Sequence, residues 1–91
     1  MSYELVAKSR VQLTAKLAVN DLQDETWTLA TIGEAMIFID SNFSQGRKTE
    51  GRWQHAARCL ALAAASDDYL QRERATQAVS LLLQSEGMLV H

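Results

Sequence analysis

The chain contains no proline. Proline costs about 3 kcal/mol in the interior of a helix, because it lacks the backbone N–H donor and its ring clashes with the preceding turn. A proline-free chain of 91 residues can therefore form long, uninterrupted helices. The apolar residues decide where those helices lie, because they recur every three or four positions on a buried helix face.

The segment 3–19 is compatible with two structures. Apolar residues at helical spacing predict a helix from Tyr3 to Val19. Apolar residues also occupy every second position from Val11 to Val19, which is typical of a half-buried strand, and Trp27–Ile32 would be its hairpin partner. The residues between the alternating positions include good helix formers: Gln12, Lys16 and Ala18. We therefore predict a helix here, with the hairpin as the alternative.

Three further helices are predicted from the same spacing. They span about 25–41, 52–65 and 66–86. Between the last two, Ser66–Asp68 either caps the fourth helix or forms a kink in one long helix. The polar segment Ser41–Gly51 contains two glycines and is the one clear loop.

These segments predict an all-α fold. A chain of 91 residues has room for one hydrophobic core, so we expect residues 1–91 to form a single domain. About four helices would pack as a small bundle or as two helical hairpins.

Composition excludes several functional classes. The net charge of −2 argues against a dedicated nucleic-acid binder, which normally carries a basic excess. No stretch approaches the roughly 18 consecutive apolar residues of a membrane span, and the first residues lack the pattern of a secretory signal. The only cysteine, Cys59, cannot form a disulfide within the chain. We therefore expect a cytoplasmic protein with no membrane partner.

One short segment resembles a known DNA-binding motif. Thr28-Leu-Ala-Thr-Ile-Gly-Glu-Ala-Met36 is similar to the first helix of helix-turn-helix motifs. The motif then needs a short turn and a polar recognition helix. Here Ile37-Phe-Ile-Asp40 follows, which is a poor turn. The resemblance implies, as the alternative function, a DNA-binding regulator that uses residues 28–58.

Residue types that could carry out catalysis or bind a metal are present but do not form a motif. His55 and Cys59 are four residues apart, so they share a helix face and supply half of a zinc site, and His91 is the only other histidine. Cysteine is also often simply buried. The carboxylates Asp21, Asp24, Asp67 and Asp68 precede predicted helices, where they would act as caps. We expect no catalytic residues, no metal and no cofactor, and hence a protein that is not an enzyme.

A cluster of basic residues is the best candidate for a binding site. Four bases and a tryptophan lie in or just after the predicted loop: Arg47, Lys48, Arg52, Trp53 and Arg58. Tryptophan and arginine are enriched among the residues that dominate protein–protein binding energy. Trp53 would be either an interface anchor or part of the core. The cluster predicts binding to a protein with an acidic surface.

The function predicted from the sequence is therefore that of a small protein-binding module. It would act as an inhibitor, adaptor or regulator through a helix face or through the loop 41–51. Small chains of this kind are common among phage and plasmid accessory proteins, and we expect such a role. The wide apolar surface of the second predicted helix, where Ile37 and Phe38 lie beside the main seam, also predicts a homodimer or other small homo-oligomer.

Overall fold

Four α-helices and a two-stranded antiparallel sheet make up residues 3–90, the part of the chain that this computed structural model describes. In chain order the elements are α1 (Glu4–Ala7), β1 (Gln12–Asn20), β2 (Thr26–Thr31), α2 (Ile32–Ser41), α3 (Gly51–Ser66) and α4 (Tyr69–Ser85). A single 3-10 turn, Arg47–Thr49, lies between α2 and α3.

The all-α prediction is wrong. Of residues 3–90, 57% are helical and 18% are in strands. The predicted first helix is replaced by the short α1 and by β1, and β2 occupies the start of the predicted second helix. Burial of the apolar side chains of β1 explains the difference. As a strand, this segment buries Leu13, Leu17 and Val19 in the core. Burial of these side chains outweighs the helix propensity of the residues between them, which is worth only a few tenths of a kcal/mol per residue. Neither the small bundle nor the pair of helical hairpins describes this fold.

The side chain of Asp21 builds the turn of the hairpin. Its Oδ1 accepts hydrogen bonds from the backbone N–H groups of Gln23 and Glu25, each at 2.9 Å. Its Oδ2 accepts a hydrogen bond of 2.8 Å from the indole Nε1 of Trp27. Asp24 has the left-handed φ of 63° that closes the turn. Asp21 and Asp24, which the sequence suggested as helix caps, thus form a β-turn instead. Of the other two suggested caps, Asp68 occupies the N-cap position of α4 and Asp67 the C-cap position of α3.

Strand β1 has neighbours on both edges. It pairs with β2 from Leu17↔Leu29 to Asn20↔Thr26. On its other edge, Asn20 donates its N–H to the carbonyl of Met88, and Val90 donates to the carbonyl of Ala18, both at 2.8 Å. Residues 88–90 therefore extend this end of the two-stranded sheet through an isolated β-bridge between Val19 and Leu89.

The pairing of β1 with β2 is interrupted between Gln12 and Leu17. Within this irregular stretch, the N–H of Thr14 donates to the hydroxyl of Thr76 on α4, at 3.0 Å. Thr76 in turn donates to the carbonyl of Arg72 one helical turn earlier, at 2.8 Å. The buried Thr76 on α4 thus supplies the hydrogen-bond acceptor for the N–H of Thr14, in a stretch where β1 is not paired regularly with β2.

The start of α2 is fixed by a capping box and by a close approach. The hydroxyl of Thr31 accepts a hydrogen bond from the N–H of Glu34, and the Glu34 carboxylate accepts one from the N–H of Thr31. At Gly33, an added Cβ would lie 2.6 Å from the carbonyl oxygens of both Ala7 and Ser9. Only glycine lets the end of α1 approach α2 this closely.

Helices α3 and α4 lie where the sequence predicts helices, and they form an antiparallel pair. The chain reverses at Asp67, whose φ of 51° ends α3, so the alternative of one kinked helix does not occur. Alanines dominate the buried face of α3, and α4 packs against both α3 and β1. Within residues 3–90, none of the helices is long and apolar enough to cross a membrane.

Candidate partner-binding groove

The structure divides the predicted basic cluster into two groups. Arg47 and Lys48 are engaged by acidic residues of the same chain. The Arg47 guanidinium donates to the Glu50 carboxylate at 2.6 Å and also pairs with Glu86, which follows α4. These two acids raise the pKa of Arg47 further above its usual range, chiefly through the hydrogen bond that Arg47 donates to Glu50. Arg47 thereby links the loop to the end of α4.

Lys48 links the same loop to α2. Its Nζ lies 2.7 Å from Oδ1 of Asp40 and 5.8 Å from the ring centroid of Trp53. Only 15% of the Lys48 side chain is exposed. The lysine ammonium therefore lies over the tryptophan ring, and its charge is already matched by the carboxylate of Asp40.

Trp53 is part of the core. It is 4% exposed, and its Nε1 donates to the carbonyl of Ile39 at 2.9 Å. Tyr3 packs edge-on against it, with ring centroids 5.8 Å apart. A side chain in this position holds α2 and α3 together and presents no surface to a partner.

Arg52 and Arg58 form the second group, and they lie on a groove between α3 and α4. Arg74, on α4, lies on the same groove. Among the described residues, none of these three arginines has a carboxylate within 4.0 Å. The groove measures about 930 Å³. Three guanidinium groups therefore face solvent around one concave surface.

Helical spacing explains how the two helices form this surface. The residues of α3 that line the groove recur every three or four positions: Arg52, His55, Arg58, Cys59 and Leu62. The lining residues of α4 recur in the same way: Gln71, Arg74, Gln77, Ala78, Leu81, Leu82, Gln84 and Ser85. In the part of the chain that the structure describes, no acidic residue lines the groove. Its electrostatic character is therefore positive, although the whole chain carries a net charge of −2.

Exposed leucines give the groove an apolar part. Leu62 on α3 is 50% exposed and Leu81 on α4 is 67% exposed. The site predicted from the sequence lacks Leu62, Arg74 and Leu81. The signal for the two α4 residues was their spacing of seven, which places them on one face of that helix.

His55 and Cys59 are close together on the wall of the groove. The Sγ of Cys59 lies 3.7 Å from Nε2 of His55. Burial raises the pKa of the Cys59 thiol, an effect that the nearby Arg74 and Arg58 only partly oppose. Within residues 3–90, no group of three or more His, Cys, Asp or Glu side chains is arranged to hold a metal ion. The third candidate ligand considered from the sequence, His91, lies outside the described residues.

The segment that resembles a helix-turn-helix has a different structure. Residues 28–31 belong to β2, so the supposed first helix begins only at Ile32. Between α2 and α3 lies a nine-residue connection that contains the 3-10 turn, where the motif requires a turn of about three or four residues. The backbone of residues 28–58 therefore does not form the motif.

Comparison with protein-family models, with curated protein sequences and with solved structures finds no significant match to this chain.

Proposed function

We propose that this protein is a small, non-enzymatic binding module that holds an acidic, amphipathic segment of another protein in the groove between α3 and α4. The observation that carries the proposal is a set of three arginines around an apolar surface, Arg52, Arg58 and Arg74, for which residues 3–90 supply no carboxylate partner.

The charge of the groove favours carboxylates. Each guanidinium presents a planar array of N–H donors that matches the two oxygens of a carboxylate. Arg47 and Lys48 would have to give up Glu50, Glu86 and Asp40 before binding a partner. The arginines of the groove have no such internal competitor, so an acidic partner binds them without first breaking an ion pair.

The exposed leucines favour a protein over a nucleic acid. A helix with apolar residues at positions i, i+3, i+4 and i+7 would cover Leu62 and Leu81, and acidic residues beside this stripe would reach the arginines. A phosphate backbone offers nothing to cover the leucines. The acidic residues elsewhere on the chain would also repel a long polyanion.

We propose binding rather than catalysis because the groove contains no activated nucleophile. Its one thiol, Cys59, is buried, and its raised pKa keeps it protonated at neutral pH. We also propose a cytoplasmic location, since a single buried thiol needs no oxidising compartment.

Self-association stays a prediction. Phe38 is buried, which leaves Ile37 as the exposed large apolar residue of α2.

The proposal is tested with a synthetic helical peptide that carries leucines at i, i+3, i+4 and i+7 and glutamates on the flanks. Fluorescence anisotropy would measure its Kd for the unmodified protein and for the double variant Arg58→Glu, Arg74→Glu. We expect the double variant to bind about tenfold more weakly or worse, because two attractive contacts become repulsive. Arg10→Glu is the matched control, since Arg10 is exposed and lies outside the groove, and its Kd should change less than about twofold.

A second pair of variants tests the apolar part. Leu81→Ala should weaken binding, whereas Leu5→Ala should not, because Leu5 is even more exposed than Leu81 but belongs to α1. Equal affinities for the unmodified protein and the arginine double variant would contradict the proposal, as would no binding at all. Duplex DNA of matched charge is the competitor, and tighter binding to DNA would assign the groove to a nucleic acid instead.

A further inference from the structure

Strand β2 has a free edge. Its partner β1 lies on one side, and among residues 3–90 no strand pairs with the other side. Proteins usually protect such an edge with lysine, proline or a covering segment. The strand Thr26–Thr31 reads Thr-Trp-Thr-Leu-Ala-Thr and contains neither a charge nor a proline. Its unpaired backbone groups are therefore available to another extended chain.

An apolar groove of about 420 Å³ runs along this edge. On the strand side it is lined by Trp27, Thr28 and Leu29, and on the α2 side by Ile37 and Phe38. Trp27 is 50% exposed and Ile37 is 52% exposed. The hydrogen bond from Trp27 Nε1 to Asp21 fixes the indole in place, so the wall is formed before any partner binds.

The charges of this groove are negative. Asp21 and Glu34 line it, and among its described lining residues there is no Lys, Arg or His. One carboxylate oxygen of Glu34 accepts hydrogen bonds from the N–H groups of both Ala30 and Thr31. These two N–H groups, at the C-terminal end of β2, are therefore not free to pair with another strand. The part of the edge left for pairing is residues 26–29. A peptide segment with one apolar residue between two basic residues matches this groove, because the groove has apolar walls and the acidic residues Asp21 and Glu34 in its lining.

A second copy of the same strand does not match it. Antiparallel pairing of two β2 strands would bring the carboxylates of Asp21, Glu25 and Glu34 from both copies to one surface. Like charges at such a contact oppose association.

We propose that an extended, basic segment of a partner protein adds to the free edge of β2 as a further strand. One apolar side chain of that segment lies between Trp27 and Ile37, and lysine or arginine side chains reach Asp21 and Glu34. This mode of binding uses main-chain hydrogen bonds for affinity and alternate side chains for specificity. It rests on a different surface from the groove between α3 and α4 and does not depend on the function proposed for that groove.

The probe is a capped synthetic peptide of alternating valine and threonine with a lysine at each end. Binding would be followed by NMR, using the backbone amides of residues 26–29 and the two indole N–H signals as reporters. We expect shifts in residues 26–29, in α2 and in the indole of Trp27, with little change in the buried Trp53. The exchange of the newly bonded amides of β2 with solvent should also slow.

Two modified peptides separate the elements of the proposal. N-methylation of alternate amides removes the main-chain donors and should weaken binding about tenfold or more, while the side chains stay the same. Replacing both lysines with glutamate should abolish binding. On the protein side, Ile37→Arg should weaken binding and Leu5→Arg should not, since both positions are exposed and only Ile37 lines the groove.

Four outcomes would overturn the inference. The N-methylated peptide could bind as well as its parent, which would exclude strand addition. The glutamate peptide could bind as well as the lysine peptide, which would exclude the charge match. Sedimentation could show a dimer that Ile37→Arg dissociates, which would make a second copy the occupant. Absence of any binding by the lysine peptide would equally count against the inference.

Discussion

Gly33 is the residue with the least steric tolerance among the glycines of the chain. Its missing side chain leaves room for the carbonyls of Ala7 and Ser9, and its own N–H donates to Ser9 at 3.2 Å. Gly33→Ala should therefore lower the free energy of unfolding by about 1–3 kcal/mol, since the backbone of one segment has to move.

Gly51→Ala is the control for this prediction. No heavy atom lies within 4 Å of a Cβ added at Gly51, and alanine is the better helix former at the start of α3. Urea unfolding should show this variant unchanged or stabilised by up to about 1 kcal/mol. Equal stability of the two variants would mean that α1 does not approach α2 as closely as described.

Asp21 makes the hairpin turn sensitive to acid. The hydrogen bond from Trp27, and then those from the N–H groups of Glu25 and Gln23, lower the pKa of this carboxyl below its ordinary value of 3.8. A lowered pKa in the folded state means that the ionised form stabilises the turn. That stabilisation is present above the ordinary pKa and is lost as the pH falls through the lowered one.

The measurement is an NMR titration of the Trp27 indole N–H signal at acidic pH. We expect a transition with its midpoint below 3.8, as the indole loses its acceptor. Asp21→Asn should remove the transition, because the amide does not ionise in this range. A midpoint at or above 3.8 would contradict the assigned hydrogen bonds.

The burial of Trp53 could not be predicted from the sequence. Trp53 has an apolar ring and one N–H donor, and both the core and an interface accept such a side chain. In the structure it is buried, with its Nε1 bonded to the carbonyl of Ile39 and the ammonium of Lys48 over its ring. Neither contact has a signature in the sequence, because both depend on how α2 and the loop pack.

Among the elements, the link between β1 and α4 gives the clearest prediction. Thr76→Val keeps the shape of the side chain but removes the acceptor for the N–H of Thr14. A buried donor without a partner costs about 1–3 kcal/mol, so the variant should unfold at a lower urea concentration. Thr28→Val is the same change at an exposed strand position and should alter stability by less than about 0.5 kcal/mol. If both variants are equally stable, the strand does not depend on Thr76.

Elements with strong helical spacing, α3 and α4, could be predicted from the sequence, whereas β1 could not. Residues 11–19 fit both periodicities, and the choice between them depends on partners that are distant in sequence: α4 and residues 88–90. The late start of α2 did have a local signal. Thr31 followed three residues later by Glu34 is the pattern of a capping box, and it places the first helical residue at Ile32.

At the scale of the whole molecule, the position of charge matters more than its sum. The sequence shows four bases between Arg47 and Arg58, but it does not show that acids from α2 and from the end of α4 neutralise two of them. It also does not show that Arg74 joins the other two across the pair of helices. The groove that we propose as the binding site therefore shares Arg52 and Arg58 with the cluster predicted from the sequence, and the packing of the two helices adds Arg74.

The placement of β1 between β2 and residues 88–90 has a consequence for folding kinetics. The hairpin closes over a short turn, but an isolated two-stranded hairpin is at best marginally stable in water. The second neighbour of β1, residues 88–90, follows α3 and α4 in the chain. The long loop between β1 and these residues must therefore close, at a cost in entropy, before the sheet gains their contacts. We expect this protein to fold more slowly than a helical bundle of equal length. On the ribosome, the strand stays without that neighbour until residues 88–90 have left the exit tunnel.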